Sequence, residues 1–142
     1  MLRERISILS VSPRNEDHHS LQTILRRSNW ALHTASTIPE ALRLMQTTAV
    51  SVILCERDLP DGSWKDLLKA LAAREFPPRL IVTSAAADEC LWSAVLNLGA
   101  FDVLLKPLEP SELFRVASFA ARSWRDQARA ASESSLVRAT AA

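Results

Sequence analysis

Glycine is nearly absent from this chain, with only Gly62 and Gly99 in 142 residues. A loop that wraps a nucleotide phosphate needs several closely spaced glycines, and the sequence offers none. Cysteine is equally sparse. Cys55 and Cys90 lie in apolar surroundings and read as buried free thiols of a protein from a reducing cytoplasm, not as a disulfide framework. No Cys/His spacing suggests zinc, and the neighbours His18 and His19 diverge by about 100° on a helix, so they cannot chelate one ion together. No apolar run approaches ~18 residues, which excludes a membrane-spanning helix. The start, Met1-Leu2-Arg3-Glu4-Arg5, is charged, but the apolar segment after it is too short for a secretory core. Net charge is only +1, so nothing global draws the chain to nucleic acid or a membrane surface. Lysine is scarce too, with Lys65, Lys69 and Lys106 against a majority of arginines. A lysine at a critical place therefore carries more information than an arginine would.

What is present is a regular alternation. An apolar fraction of 48% and a charged fraction of 23% suit one globular domain. Ile6, Ile8, Leu9 and Val11 make a short strand closed by Ser12 and Pro13, which read as the N-cap and first residue of a helix carrying Leu21, Ile24 and Leu25. Trp30, Leu32 and Thr34 alternate as a half-buried strand does. Thr37 and Glu40 form a capping box opening a second helix with Ala41, Leu42 and Met45 inward. Val50 to Cys55 is a nearly unbroken apolar strand, of the kind covered on both faces. Ser63 caps a third helix with Leu67, Leu68 and Leu71 inward. Leu80 to Val82 is a fourth strand ending in Thr83-Ser84, and Leu91, Val95 and Leu98 line a fourth helix terminated by Gly99. Phe101 to Leu105 is a fifth strand. Pro110 starts a last helix with Leu113, Val116, Ala117, Ala120 and Trp124 on one stripe. After about Gln127 the apolar anchors thin out, which predicts fraying. The expected organisation is one domain over 1–127 and a flexible tail over 128–142. Strands alternating with helices predict an α/β fold with a parallel sheet covered by helices on both faces.

The third strand runs into Glu56, and Pro60 and Gly62 break the chain just beyond. In a parallel sheet such strand ends are where ligands and chemistry gather, so Glu56 is a candidate site residue. Further on, Asn97-Leu98-Gly99-Ala100-Phe101-Asp102-Val103-Leu104-Leu105-Lys106-Pro107 and then Pro110-Ser111-Glu112-Leu113 resemble the end of a response-regulator receiver domain, the CheY-like superfamily. Leu59-Pro60-Asp61-Gly62 resembles that family's loop after the third strand, and Ser84-Ala85 its hydroxyl-plus-small pair after the fourth. The resemblance spans roughly residues 5 to 125. It implies a three-layer, doubly wound (βα)5 flavodoxin-like fold with a five-stranded parallel sheet in the order 2-1-3-4-5.

The resemblance also places a site. The phosphoacceptor Asp of the family falls on Glu56, four residues before Pro60. The two acids that hold Mg²⁺ fall on Ser12 and Pro13. The hydroxyl that reads the acyl phosphate falls on Ser84, the lysine on Lys106, and the switch aromatic on Val103. A glycine usual in the family is Trp64. Mg²⁺ is ordinarily held by carboxylates and water in near-octahedral geometry, and neither Ser12 nor Pro13 offers a carboxylate. Glu56 is one methylene longer than Asp, which moves its carboxylate about 1.5 Å along the site. The expectation is a degenerate receiver, a pseudo-receiver without enzymatic activity, metal or cofactor, in which Glu56 pairs with Lys106.

Plainer readings stand beside these. Glu56 can be a solvated loop carboxylate, Lys106 an ordinary surface cation, and Ser84 merely a strand end. Asp58 lies only two residues before Pro60, and so in the loop. Glu16 and Asp17 are read as favouring the N-terminus of the first helix through its dipole, with displaced metal ligation as the alternative. Arg115, Arg122, Arg125 and Arg129 form a solvated face or part of an interaction face that would include Trp92 and Val103. The function expected is a cytoplasmic signalling module of a two-component or phosphorelay system. Its partners would be proteins (a sensor kinase, an output domain, or a second copy through the fourth helix, fifth strand and fifth helix), with no nucleic acid or membrane. It would work in trans or as a fragment of a longer protein. The alternatives are a conventional phosphorylatable receiver using Mg²⁺ at an atypical site and, further off, a flavodoxin-like nucleotide-binding enzyme.

Overall fold

The computed structural model describes residues 5–86 and 88–140, with side chains up to residue 134; the charged start at Met1 to Glu4 lies outside them. Five parallel strands form one sheet: β1 (Ser7–Val11), β2 (Ala31–Ala35), β3 (Val52–Glu56), β4 (Arg79–Ser84) and β5 (Asp102–Leu105). Their order is 2-1-3-4-5, the expected one. The helices are α1 (Asn15–Leu25), α2 (Ile38–Thr47), α3 (Trp64–Leu71), α4 (Glu89–Leu98) and α5 (Pro110–Thr140). A two-residue ribbon, Asp58–Leu59 against Gly62–Ser63, closes the loop after β3.

Period-two alternation sends successive strand residues to opposite faces. Leu9, Val11, Ile53, Cys55, Leu80, Val82 and Val103 pack with α2, α3 and α4, whereas Ile8, Val52, Leu54, Ile81 and Leu104 pack with α1 and α5. All five residues of β3 are buried, as its unbroken apolar run predicts. Each such Val, Ile or Leu contributes roughly 1.5–3 kcal/mol by leaving water. Trp64, the first residue of α3, is 1% exposed and packs in the core.

Most helix starts are chemically capped. Ser63 and Asp66 form a reciprocal box on α3, and Asp88 accepts the Leu91 amide of α4 at 2.9 Å. On α2, Thr37 accepts the Glu40 amide, but the Glu40 carboxylate takes the Ser36 amide, so the box closes one residue early. At α5 the Glu109 carboxylate accepts from the Ser111 hydroxyl and from the Ser111 and Glu112 amides. These bonds hold its pKa below the usual carboxylate value, the Ser111 hydroxyl contributing most. The exception is α1. Its N-cap is Arg14 with no side-chain cap, so Ser12 and Pro13 precede the helix and do not start it.

Several expectations change. Leu98 is 52% exposed and does not line the buried face of α4, and Cys90 is exposed, so only Cys55 is a buried thiol. Helix α5 runs from Pro110 to Thr140. Its middle is fastened to the lower edge of the sheet: the Trp124 indole donates to the Phe76 carbonyl, and the Arg79 guanidinium donates to the Ser123 hydroxyl and to Gln127. Among the described residues no helix is long and apolar enough to cross a membrane.

The two glycines sit where backbone conformation demands them. Gly99 ends α4 at φ 88°, and a methyl group there would meet open space. Gly62 has φ 151°, and a Cβ there would collide with the Asp66 carboxylate. Gly99→Ala should therefore cost about 1 kcal/mol of left-handed strain, and Gly62→Ala should cost more because it also disturbs the α3 capping box. Urea unfolding of both variants measures this; an equal or smaller loss for Gly62→Ala would contradict the clash.

Candidate functional site

Glu56 ends β3 and is 7% exposed. Lys106 follows β5, its amide held by the Ser84 carbonyl at 2.9 Å. The Lys106 ammonium lies 2.6 Å from Glu56 Oε2 and 3.2 Å from both oxygens of Asp17, on the first turn of α1. Asp17 Oδ2 in turn accepts the Ser12 hydroxyl at 2.5 Å, and the Thr83 hydroxyl donates to Glu56 Oε2 at 3.3 Å. The expected pairing of Glu56 with Lys106 is thus present, and Asp17 joins it.

The β1–α1 turn is built to deliver Asp17. Ser12 is 2% exposed, and its hydroxyl oxygen accepts the Arg14 amide while its proton goes to Asp17. His18 is 8% exposed, with Nε2 3.0 Å from the Ser12 carbonyl and Nδ1 2.9 Å from the Ser10 hydroxyl. A carbonyl only accepts, so Nε2 carries the proton and Nδ1 accepts from Ser10 in the neutral ring. His18 therefore pins the turn that Pro13 begins, and α1 starts with Asp17 facing Lys106.

Electrostatically the site is two carboxylates bridged by one ammonium, a partly buried arrangement stronger than a surface pair. The burial of Cys55, and then the charge of neighbouring Glu56, push the Cys55 thiol far above its usual pKa, so it stays protonated and inert. Among the described residues no three His, Cys, Asp or Glu side chains converge as metal ligands, and the place between Glu56 and Asp17 is taken by the Lys106 ammonium. The sequence pattern alone assigns Asp17 to the helix dipole; its position on the third residue of α1 serves both roles.

Ser84 is near but not engaged. Its hydroxyl donates to the Ala86 carbonyl at 2.7 Å and accepts the Ala86 amide, closing a local turn. Thr83, which the sequence pattern does not single out, is the hydroxyl on Glu56 because Glu56 and Thr83 are directly paired across β3 and β4 and share a face. Pro13 is exposed beside the site. Val103 is 3% exposed and packs in the core, so it adds no side chain to the proposed interaction face. Trp92, Arg115 and Arg122 are exposed on α4 and α5, together with Leu105 and Phe119.

The family model for the response regulator receiver domain matches residues 9–118. The chain belongs to this receiver family. Among its relatives, the transcriptional regulatory protein DpiA of Escherichia coli K12 is 31% identical over 74 residues, 52% of this chain and 33% of DpiA. The response regulator protein PilR of Pseudomonas aeruginosa is 27% identical over 86% of this chain and 27% of its own length. The two-component response regulator ORR5 of Oryza sativa subsp. japonica is 28% identical over 78% of this chain and 85% of its length. This receiver thus spans about a third of DpiA and less of PilR. Its fold matches the signal receiver domain of an HD domain-containing protein from Pseudomonas fluorescens Pf-5, with TM-score 0.81 at 22% identity over 91% of this chain and 96% of the other. A CheY-like receiver from Methanospirillum hungatei JF-1 matches with TM-score 0.75 at 23% identity, over 87% and 99% of the two chains.

Removing the receiver's ammonium strands two carboxylates together. Lys106→Met should destabilise by about 3 kcal/mol, the cost of leaving a buried charge unpaired. Adding Glu56→Gln should restore part of that loss. A double-mutant cycle by urea unfolding reads the coupling, and additive losses would mean that the pair does not interact.

Proposed function

We propose that this receiver is held in one state by the Glu56–Lys106–Asp17 triad, takes up no phosphoryl group, and signals by presenting a protein-binding surface. The observation that carries this reading is the Lys106 ammonium seated 2.6 Å from Glu56 and 3.2 Å from Asp17. An acceptor carboxylate must offer a free oxygen in line with the donor, and phosphoryl transfer needs cationic charge on the equatorial oxygens. Here Oε2 of Glu56 is occupied by Lys106 and Thr83. The longer arm of Glu displaces the carboxylate as well, and errors of ~1 Å can cost ~100-fold in rate. The permanent charge of Glu56 stands where a transient one would otherwise be made.

Signalling without chemistry needs a partner. A sensor kinase, an output domain or another signalling protein fits the naming of DpiA and PilR as regulators, both longer than this chain. The exposed Trp92, Leu105 and Phe119, flanked by Arg115 and Arg122, support contacts through α4, β5 and α5, a second copy of the chain included. Buried aromatics and arginines dominate the energetics of such interfaces.

One observation favours a second reading, a phosphorylatable receiver with an atypical metal site: Asp17 supplies a carboxylate from α1 where the family uses residues directly after β1. Incubation with acetyl phosphate and Mg²⁺, followed by intact mass, separates the two. The native chain should gain no phosphoryl adduct, and such an adduct on Glu56 would overturn the proposal. Glu56→Asp in the same assay locates the defect, in the acceptor alone if this variant is labelled, and also in the metal cradle if it is not.

A further inference from the structure

A groove of about 730 Å³ runs between α3 and the end of α4 to the lower edge of the sheet. None of its lining residues belongs to the triad. Leu68, Pro77, Leu98 and Phe101 give it an apolar wall, and Leu98 is half exposed there with no core role. Two of the three lysines of the chain, Lys65 and Lys69, stand on its rim. Both are exposed, and neither is ion-paired among the described residues. The other charges of the lining are committed elsewhere. The Asp66 carboxylate accepts the Ser63 amide at 2.9 Å, and the Arg79 guanidinium is spent on Ser123 and Gln127. The free charge beside this apolar wall is therefore positive.

The spacing of the two lysines selects among occupants. Four residues apart on α3, they share a side of the helix about one turn, or ~6 Å, apart along its axis. Two carboxylates four residues apart on a second helix have the same spacing. A small monocarboxylate would use only one lysine, and the buried residues of the lining, Leu71, Pro78 and Leu80, offer no polar side chain to orient it. Lysine stems also cover apolar surface while their ammonium groups stay in water. We infer that this groove docks an acidic amphipathic helix of a partner protein. Its apolar face lies against Leu68 and Leu98, and two of its glutamates, one turn apart, meet Lys65 and Lys69. The site is separate from the triad, so it stands or falls independently of whether Glu56 accepts a phosphoryl group.

The test uses a fluorescein-labelled synthetic helix with leucines along one face and glutamates one turn apart beside them, titrated with the whole chain and read by anisotropy. Saturable binding is expected. The double reversal Lys65→Glu with Lys69→Glu should weaken it about tenfold, since two exposed ion pairs become repulsions. Leu98→Asp should weaken it comparably by charging the apolar wall. Gln22→Ala, exposed on α1 and so on the opposite face of the sheet, should leave it unchanged. All substituted residues are exposed, and thermal unfolding of each variant checks that the fold is retained. Absence of saturable binding, indifference to the lysine reversal and to Leu98→Asp, or loss of binding in Gln22→Ala would each overturn the inference.

Discussion

The ammonium of Lys106 holds three distant parts of the chain at one point. Asp17 is 89 residues away from it in sequence, yet the α1 turn, the end of β3 and the start of the β5–α5 loop meet there. Two carboxylates this close would repel across a site with little water, and a lysine alone would lose hydration without return. Each charge is tolerable because the other two are present. That mutual dependence fixes the upper edge of the sheet more tightly than any of the loops could do alone.

The geometry of the β1–α1 turn follows from the same requirement. A helix beginning at Ser12 and Pro13 would rotate and raise its first turn, carrying Asp17 away from Lys106. Instead α1 begins at Asn15, with Ser12 buried as a linker between the Arg14 amide and Asp17. His18 completes the turn by donating to the Ser12 carbonyl while accepting from Ser10. The buried Ser12 hydroxyl thus orients a carboxylate supplied from further along the chain.

The alternation of strands and helices was legible because a doubly covered sheet forces apolar strands and one-sided helices, and both periods survive in the residues. Glu56 and Lys106 were legible for different reasons, one from its place before Pro60 and Gly62, the other because lysine is rare in this chain. Asp17 was not, since a carboxylate near a helix N-terminus is already accounted for by the dipole, and only the true start of α1 turns it toward the site. Thr83 was missed because its contact depends on the register of β4 against β3, which composition does not encode. Cys90 and Leu98 look buried by type but lie on the outer side of α4. The helix beyond Gln127 has few apolar anchors, but alanine, the strongest helix former, is its commonest residue, and local propensity favours its continuation.

A receiver that switches needs two states of comparable free energy and an input that favours one of them. On the reading proposed above, the Lys106 ammonium bound between two carboxylates takes the place of that chemical input, and a charge that is always present binds both states equally or leaves only one. On that reading, regulation of the module comes from what it binds. Its affinity for a partner is set by surface residues, and the response is set by how much partner is present. Under that logic the exposed face of α4 and α5 and the lysine-rimmed groove matter more than the strand end. On the same reading the triad keeps the surfaces above the sheet in one arrangement, so that recognition meets a preorganised target and loses little entropy on binding.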